Sequence, residues 1–165
     1  MDAEDEFSEY VAARWARLVR AAVLLGASPA EAEDITQTAL TRCLVRWSKV
    51  RRAADRDAYV HRVLVNTFIS ARRRRWTGER PTSEVPEQAS GDHAEQVETA
   101  DLVSRSLARL SDEQRAVVVL RYYAHLGEAQ TAAALGIPAG TVKSRLARAL
   151  KVLSNDPDLS ELRGR

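Results

Sequence analysis

Thr141, Lys143, Ser144, Arg145 and Arg148 lie close together near the end of the chain and are suited to contact a polyanion. Lysine and arginine neutralise phosphates or address guanine O6 and N7 in a major groove, and hydroxyls near a helix N-terminus bond phosphate oxygens. A second set occupies the middle of the chain. Arg62, Asn66, Ile69 and Arg73 recur at helical spacing, and Arg72, Arg73, Arg74 and Arg75 lead directly into Trp76. A track of cations that includes one edge-reading amide suits a single nucleic-acid strand. Chemistry that makes or breaks bonds has no comparable set. There is no glycine-rich loop to cradle phosphate, no nucleophile with a legible base, and His61, His93 and His125 lack ligand spacing. Neither a metal nor a cofactor is expected, and the chain does not read as an enzyme.

The elements that position these side chains are helices. Glu128 to Leu135 is short and alanine-rich, Gly136 suits a helix C-cap, and Pro138 suits the first turn of the next helix. On that next helix Val142, Leu146, Ala149 and Leu150 form the inner face and leave the five polar residues outside. Periodicity alone also allows a helical hairpin whose charges merely face water. Upstream, Phe7, Tyr10, Val11, Trp15, Leu18, Ala22 and Leu25 make one apolar stripe that Gly26 ends. Ser28, Pro29 and Glu31 then start a helix carrying Ile35, Ala39, Leu40, Leu44 and Trp47. After a basic loop, Lys49 to Arg56, either Asp55 or Asp57 caps a third helix with Val60, Val63, Leu64, Thr67, Phe68 and Ala71 inside.

Residues 77–99 lose apolar periodicity and are rich in Glu, Pro, Ser and Gly, as a solvated tether is. Beyond them Leu102, Leu107 and Leu110 suggest a helix, and Ser111 with Gln114 resembles a capping box for another. No strand-like alternation is present. The fold class expected is all-α, as two small helical domains joined by a flexible linker: 1–76, an acidic linker 77–99, 100–155, and a tail 156–165.

A formal net charge of +2 argues little for a nucleic-acid partner, but the distribution argues more: residues 42–76 hold 11 basic against 2 acidic side chains, while residues 77–100 hold 1 against 6. The Arg run by itself also fits a non-specific nucleic-acid or targeting patch. The single Cys43 excludes an internal disulfide and reads as a small buried hydrophobe. No stretch reaches the roughly 20 apolar residues of a membrane span, and the acidic MDAEDEF is no secretory signal. A cytoplasmic protein without membrane insertion is expected.

The string LGIPAGTVKSRLARALKVL closely resembles region 4 of the sigma-70 superfamily, in particular the extracytoplasmic-function (ECF) subgroup. The resemblance implies a helix-turn-helix that reads the promoter's minus-thirty-five element through Thr141, Lys143, Ser144, Arg145 and Arg148. It departs where the family usually has Glu-Ile-Ala: here stand Gln130, Thr131 and Ala132, which puts packing of the first helix in question. AEDITQTALTRCLVRW resembles region 2, implying that Asp34, Ile35, Gln37 and Leu40 dock on the clamp of the polymerase β′ subunit. Without the family, Asp34 and Gln37 are simply adjacent polar surface.

AYVHRVLVNTFISARRRRW is similar to the segment that opens and reads the minus-ten element, with Arg62, Asn66, Arg72, Arg73 and Arg74 as contacts. By the same resemblance a flipped base enters a pocket made partly by the loop Lys49 to Arg56. The function implied is a sigma factor that directs core RNA polymerase to a subset of promoters, with promoter DNA and core polymerase as partners and an anti-sigma factor as a further one. A stand-alone helix-turn-helix regulator is the alternative. It accounts for residues 101–153 but leaves the amino-terminal half unexplained, and such regulators usually dimerise on paired half-sites.

Overall fold

Most helices start where a side chain satisfies the first free N–H groups. The computed structural model describes the backbone of residues 1–77 and 94–163, and the side chains of 1–77 and 99–160. Helix α1 (Ala3–Leu25) begins at Asp2, whose carboxylate accepts from the N–H groups of Glu4 and Asp5. It ends at Gly26, where φ of 120° demands a residue without Cβ. Helix α2 (Pro29–Val45) starts from the expected Ser28/Glu31 capping box. A single-turn helix, α3 (Trp47–Val50), leads into the basic loop, and its Trp47 and Val50 are both buried. Asp55 caps α4 (Arg56–Trp76) by accepting from the Ala58 N–H at 2.9 Å.

In the second unit α5 (Ala94–Ala108) begins inside the stretch expected to be linker, because its Ala, Glu and Gln residues favour helix. Residues 78–93 of that linker lie outside the described residues. Ser111 and Gln114 form the expected capping box of α6 (Asp112–Val118), which runs on into a π-helical segment, Val119–Tyr123. Helices α7 (Glu128–Leu135) and α8 (Ala139–Ser154) are joined through Gly136 at φ 66°, as expected of a left-handed cap. Pro138 takes the N-cap of α8 and not its first turn.

The supposed tail holds a further helix, α9 (Pro157–Arg163). Buried Asp156 accepts from the Asp158 N–H, and Arg109 pairs with both carboxylates at 3.5 and 3.2 Å.

No strand occurs among the described residues. Helices α1, α2 and α4 enclose Leu18, Leu25, Val60, Leu64 and Val65, all almost wholly buried. Val117, Ala132 and Val142 form a small separate core within the helix-turn-helix. The larger core continues from the first unit into Leu107, Val118, Val119 and Leu120 of the second, so the two units are packed together.

Two expected inner-face residues are corrected. Leu44 is 45% exposed, because the buried stripe of α2 runs through Ile35, Ala39 and Cys43 and Trp47 takes up the next position. Leu150 is 39% exposed and lines an open apolar groove with Tyr122, Leu153 and Leu159.

Candidate nucleic-acid interface

Four consecutive arginines at the end of α4 have different roles. Arg72 lies over the Phe68 ring at 5.1 Å and donates from Nη2 to the Gly26 carbonyl at 2.9 Å. Arg75 pairs with Glu31 of the α2 capping box. Arg73 and Arg74 are exposed, as are Arg62 and Asn66, and Trp76 is 93% exposed. The outward track is therefore Arg62, Asn66, Arg73 and Arg74. Arg72, counted from the sequence among the contacts, is tied to its own fold.

Beside this track Ser48, Lys49, Arg52, Ala53 and Tyr59 line a concavity of about 530 Å³. Its wall is braced from α1. Glu6 pairs with Arg51 at 2.9 Å and with Arg56 at 3.0 Å, and the Arg56 guanidinium lies over Trp47 at 5.3 Å. Tyr10 donates to Asp57 at 2.8 Å, and Arg14 Nε donates to the same carboxylate at 3.2 Å. Burial works against the Asp57 charge, yet the bonds from Arg14 and Tyr10 hold its carboxyl below the ordinary range. Burial and the bond to Asp57 push the Tyr10 hydroxyl up. With Arg51 and Arg56 occupied, Lys49 and Arg52 remain as the cations facing the concavity.

On α8, Lys143, Ser144 and Arg148 are exposed, Thr141 is half-buried, and Val142 and Ala149 point inward as expected. Arg145 is half-buried and pairs with Glu113 of α6 at 3.5 Å. Ser144 Oγ donates to the Thr141 carbonyl, which leaves its lone pairs open. Of the five expected contacts, Lys143 and Arg148 are the exposed cations.

The unusual Gln130–Thr131–Ala132 sequence has two consequences. Gln130 Oε1 accepts the Gly127 N–H at 2.8 Å and so caps α7. Thr131 is wholly buried, and its Oγ1 has no hydrogen-bond partner.

The expected docking set on α2 divides by exposure. Asp34 and Gln37 are exposed. Ile35 and Leu40 are 8% and 5% exposed and belong to the core against α1 and α4, so neither presents a docking side chain. The apolar surface lies one turn further on, at Leu44 and Val45, the latter 81% exposed. The place where the buried stripe leaves α2 marks them in the sequence.

His61 is buried with Nδ1 2.8 Å from the Asp57 carbonyl, so it is a core residue. His125 is an exposed residue at φ 57°, and His93 lies outside the described residues. No helix among the described residues is long and apolar enough to cross a membrane.

The described residues are thus helical throughout their regular structure and carry two separate cationic arrays, one on a helix-turn-helix and one beside a concavity. Residues 11–77 match the Sigma-70 region 2 family and residues 100–153 match Sigma-70, region 4. The chain is 42% identical to an RNA polymerase sigma-E factor of Streptomyces coelicolor, over 92% of this chain and 85% of that one. It is 36% identical to the ECF RNA polymerase sigma factor SigL of Mycobacterium tuberculosis, over 89% and 84%.

Among solved structures its fold is similar to the sigma factor RpoE in complex with the anti-sigma factor NepR from Bartonella quintana. The TM-score is 0.70, with 23% identity over 90% of this chain and 94% of that one. CnrH in complex with the cytosolic domain of CnrY has a TM-score of 0.62, at 22% identity over 92% and 86%. The chain belongs to the sigma-70 family of RNA polymerase sigma factors, in its ECF subgroup.

Proposed function

We propose that the chain's two arrays divide promoter reading between them. Arg62, Asn66, Arg73 and Arg74 with the Lys49/Arg52 concavity take the opened minus-ten strand. Thr141, Lys143, Ser144, Arg145 and Arg148 take the minus-thirty-five duplex. The observation that carries this reading is a sorting of cations. Arg51, Arg56, Arg72 and Arg75 are tied to acids or carbonyls of the fold, whereas Arg73, Arg74, Lys143 and Arg148 are left outward on the two arrays. Cations held outward neutralise phosphates at little cost of rearrangement.

Asp34 and Gln37, with Leu44 and Val45, form the surface that docks on the β′ clamp of core polymerase. Asp34 and Gln37 are exposed at the matched polar positions, and Leu44 and Val45 are the large apolar side chains that α2 exposes. An anti-sigma protein is proposed as a further partner, on the strength of the two complexes that share this fold. The chain performs no chemistry of its own in this reading and works in the cytoplasm, where the promoter is. A stand-alone regulator is disfavoured because both halves, not the helix-turn-helix alone, match the family.

Binding of the purified chain to core polymerase, followed by gel filtration of the mixture, tests the docking half. Co-elution with core supports it, and separate elution in the absence of any inhibitor contradicts it.

A further inference from the structure

The three tryptophans of the chain are placed very differently. Trp47 is 4% exposed and meets the Phe7 ring edge-on at 5.1 Å, and Trp15 packs against the same core. Trp76, the last residue of α4, is 93% exposed. An indole left in water forgoes one of the largest apolar burials a side chain can offer, so what holds it there bears on its use.

The last turn of α4 is fastened at three points. Arg72 donates to the Gly26 carbonyl at the end of α1, and Arg75 pairs with Glu31 of α2. Thr77 closes the turn: its N–H donates to the Arg73 carbonyl at 3.1 Å, and its Oγ1 lies 3.1 Å from the carbonyls of both Arg73 and Arg74. These bonds satisfy carbonyls that a helix end leaves free, and they hold the turn in register. Between the fastened residues Arg73, Arg74 and Trp76 remain exposed. Ile69 and Arg73 also line a cleft with Asp112 and Glu113 of α6, and Trp76 stands clear of it.

Helical geometry sets Trp76 on the side of α4 that carries the outward track. Each residue turns the helix by about 100°, so Trp76 falls about 20° from Ile69, about 40° from Arg62 and about 80° from Asn66. From Asn66 to Trp76 the helix rises about 15 Å, the length of roughly four stacked nucleotides. Every base has a π-face, so stacking on an aromatic ring adds affinity without asking for a particular sequence. A ring already fixed in place loses little freedom on stacking. A lipid surface would want several apolar side chains beside the indole, whereas the exposed neighbours on this side are Arg62, Asn66, Arg73 and Arg74.

We propose that Trp76 is a stacking platform for one base of the opened strand, roughly four nucleotides along from the base that Asn66 meets, with Arg73 and Arg74 on the phosphates between them. It adds hold and not sequence choice. The proposal rests on the assignment of α4 to the minus-ten strand.

Titration of the full chain with short oligothymidylate and oligodeoxycytidylate at low salt tests it, by anisotropy of labelled strands and by tryptophan emission with unlabelled ones. The wild type is expected to bind both strands similarly, with its emission quenched. Trp76→Ala should bind both about tenfold more weakly and lose the quenching, and Trp76→Phe should recover most of the affinity. Both variants should melt with the wild type because the position is exposed. The double variant Arg73→Ala/Arg74→Ala should bind weakly and with a shallower salt dependence. Unchanged affinity in Trp76→Ala, with the arginine variant weakened, overturns the platform and leaves the α4 assignment standing. Failure of the wild type to bind either strand, or full binding by every variant, removes α4 from the strand path and the platform with it. Vesicles of equal parts phosphatidylglycerol and phosphatidylcholine are the counter-probe. A blue shift on them that Trp76→Ala abolishes, with no quenching by either strand, overturns the proposal in favour of a lipid surface.

Discussion

Asp55 serves two helices with one carboxylate: Oδ1 accepts the Ala58 N–H and caps α4, while Oδ2 accepts from Gln130 Nε2 of α7. The cap starts the helix that carries Asn66, and the second oxygen meets the helix that precedes the recognition helix. Asp55→Ala is expected to lower stability by about 1 kcal/mol through the lost cap. Gln130→Ala leaves that cap intact and instead removes the contact that caps α7, so its cost in the same urea titration reads α7 and not α4. Equal stability of Asp55→Ala and wild type would show that α4 does not depend on this cap.

Thr131 is a buried hydroxyl without a partner at a place where the family usually has isoleucine. Thr131→Val keeps the shape and removes the unsatisfied group, so stability should rise by about 1 kcal/mol. The melting temperature of the purified variant measures this. A fall would mean that the hydroxyl has a partner, such as an ordered water.

His61 sets a pH dependence. Burial lowers its proton affinity below the ordinary value of 6.5, and its Nε2 is buried without a partner. Below that pH the unfolded chain binds the proton that the folded chain refuses, so stability falls as pH drops through about 6.5 towards 5. Asp57 acts elsewhere: its carboxyl is held below the ordinary 3.8, so its contribution is present above that range and is lost only in stronger acid. Urea titrations of the wild type and His61→Gln at pH 8, 6 and 5 separate the two. His61→Gln should flatten the slope above pH 5, and an unchanged slope would assign it to another group.

Leu40 and Leu44 are one helical turn apart with opposite roles. Leu40→Ala removes a core side chain and should cost about 2–5 kcal/mol. Leu44→Asp and Val45→Asp change exposed positions, so folding should hold while affinity for core polymerase falls about tenfold or more. Circular dichroism and a core-binding titration read the two effects. Full core binding by the double variant Leu44→Asp/Val45→Asp would remove these residues from the docking surface.

What was legible in the sequence followed from local chemistry. Ser28 with Glu31, Ser111 with Gln114, and Gly136 marked helix ends correctly because caps depend on neighbours a few residues away. Helix α9 has the same kind of signal, Asp156 before Pro157, within the stretch that reads as tail. Tertiary pairing was not legible. Ile35 and Leu40 matched a docking motif by position, yet helical phase alone does not say which apolar residues of α2 face α1 and α4. The four arginines from Arg72 to Arg75 look alike in sequence, and only the placement of Gly26 and Glu31 shows that two of them hold the fold. The meeting of Arg115 with Leu24 joins residues far apart in the chain, and no periodicity encodes it.

The most direct test of the central claim is promoter-dependent transcription by core polymerase plus this chain on genomic fragments, with thymines of the minus-ten region probed by permanganate. Discrete start sites and permanganate-reactive thymines should appear only when the chain is added. Lys143→Ala and Arg148→Ala should weaken recruitment, each by about 1–3 kcal/mol if it reads a base. Asn66→Ala should leave recruitment largely intact and reduce thymine reactivity. Equal loss of duplex binding in all three variants would contradict the division between α8 and α4. No promoter-dependent transcript from the wild-type chain, with core competent for another sigma factor and no inhibitor present, would contradict the account as a whole.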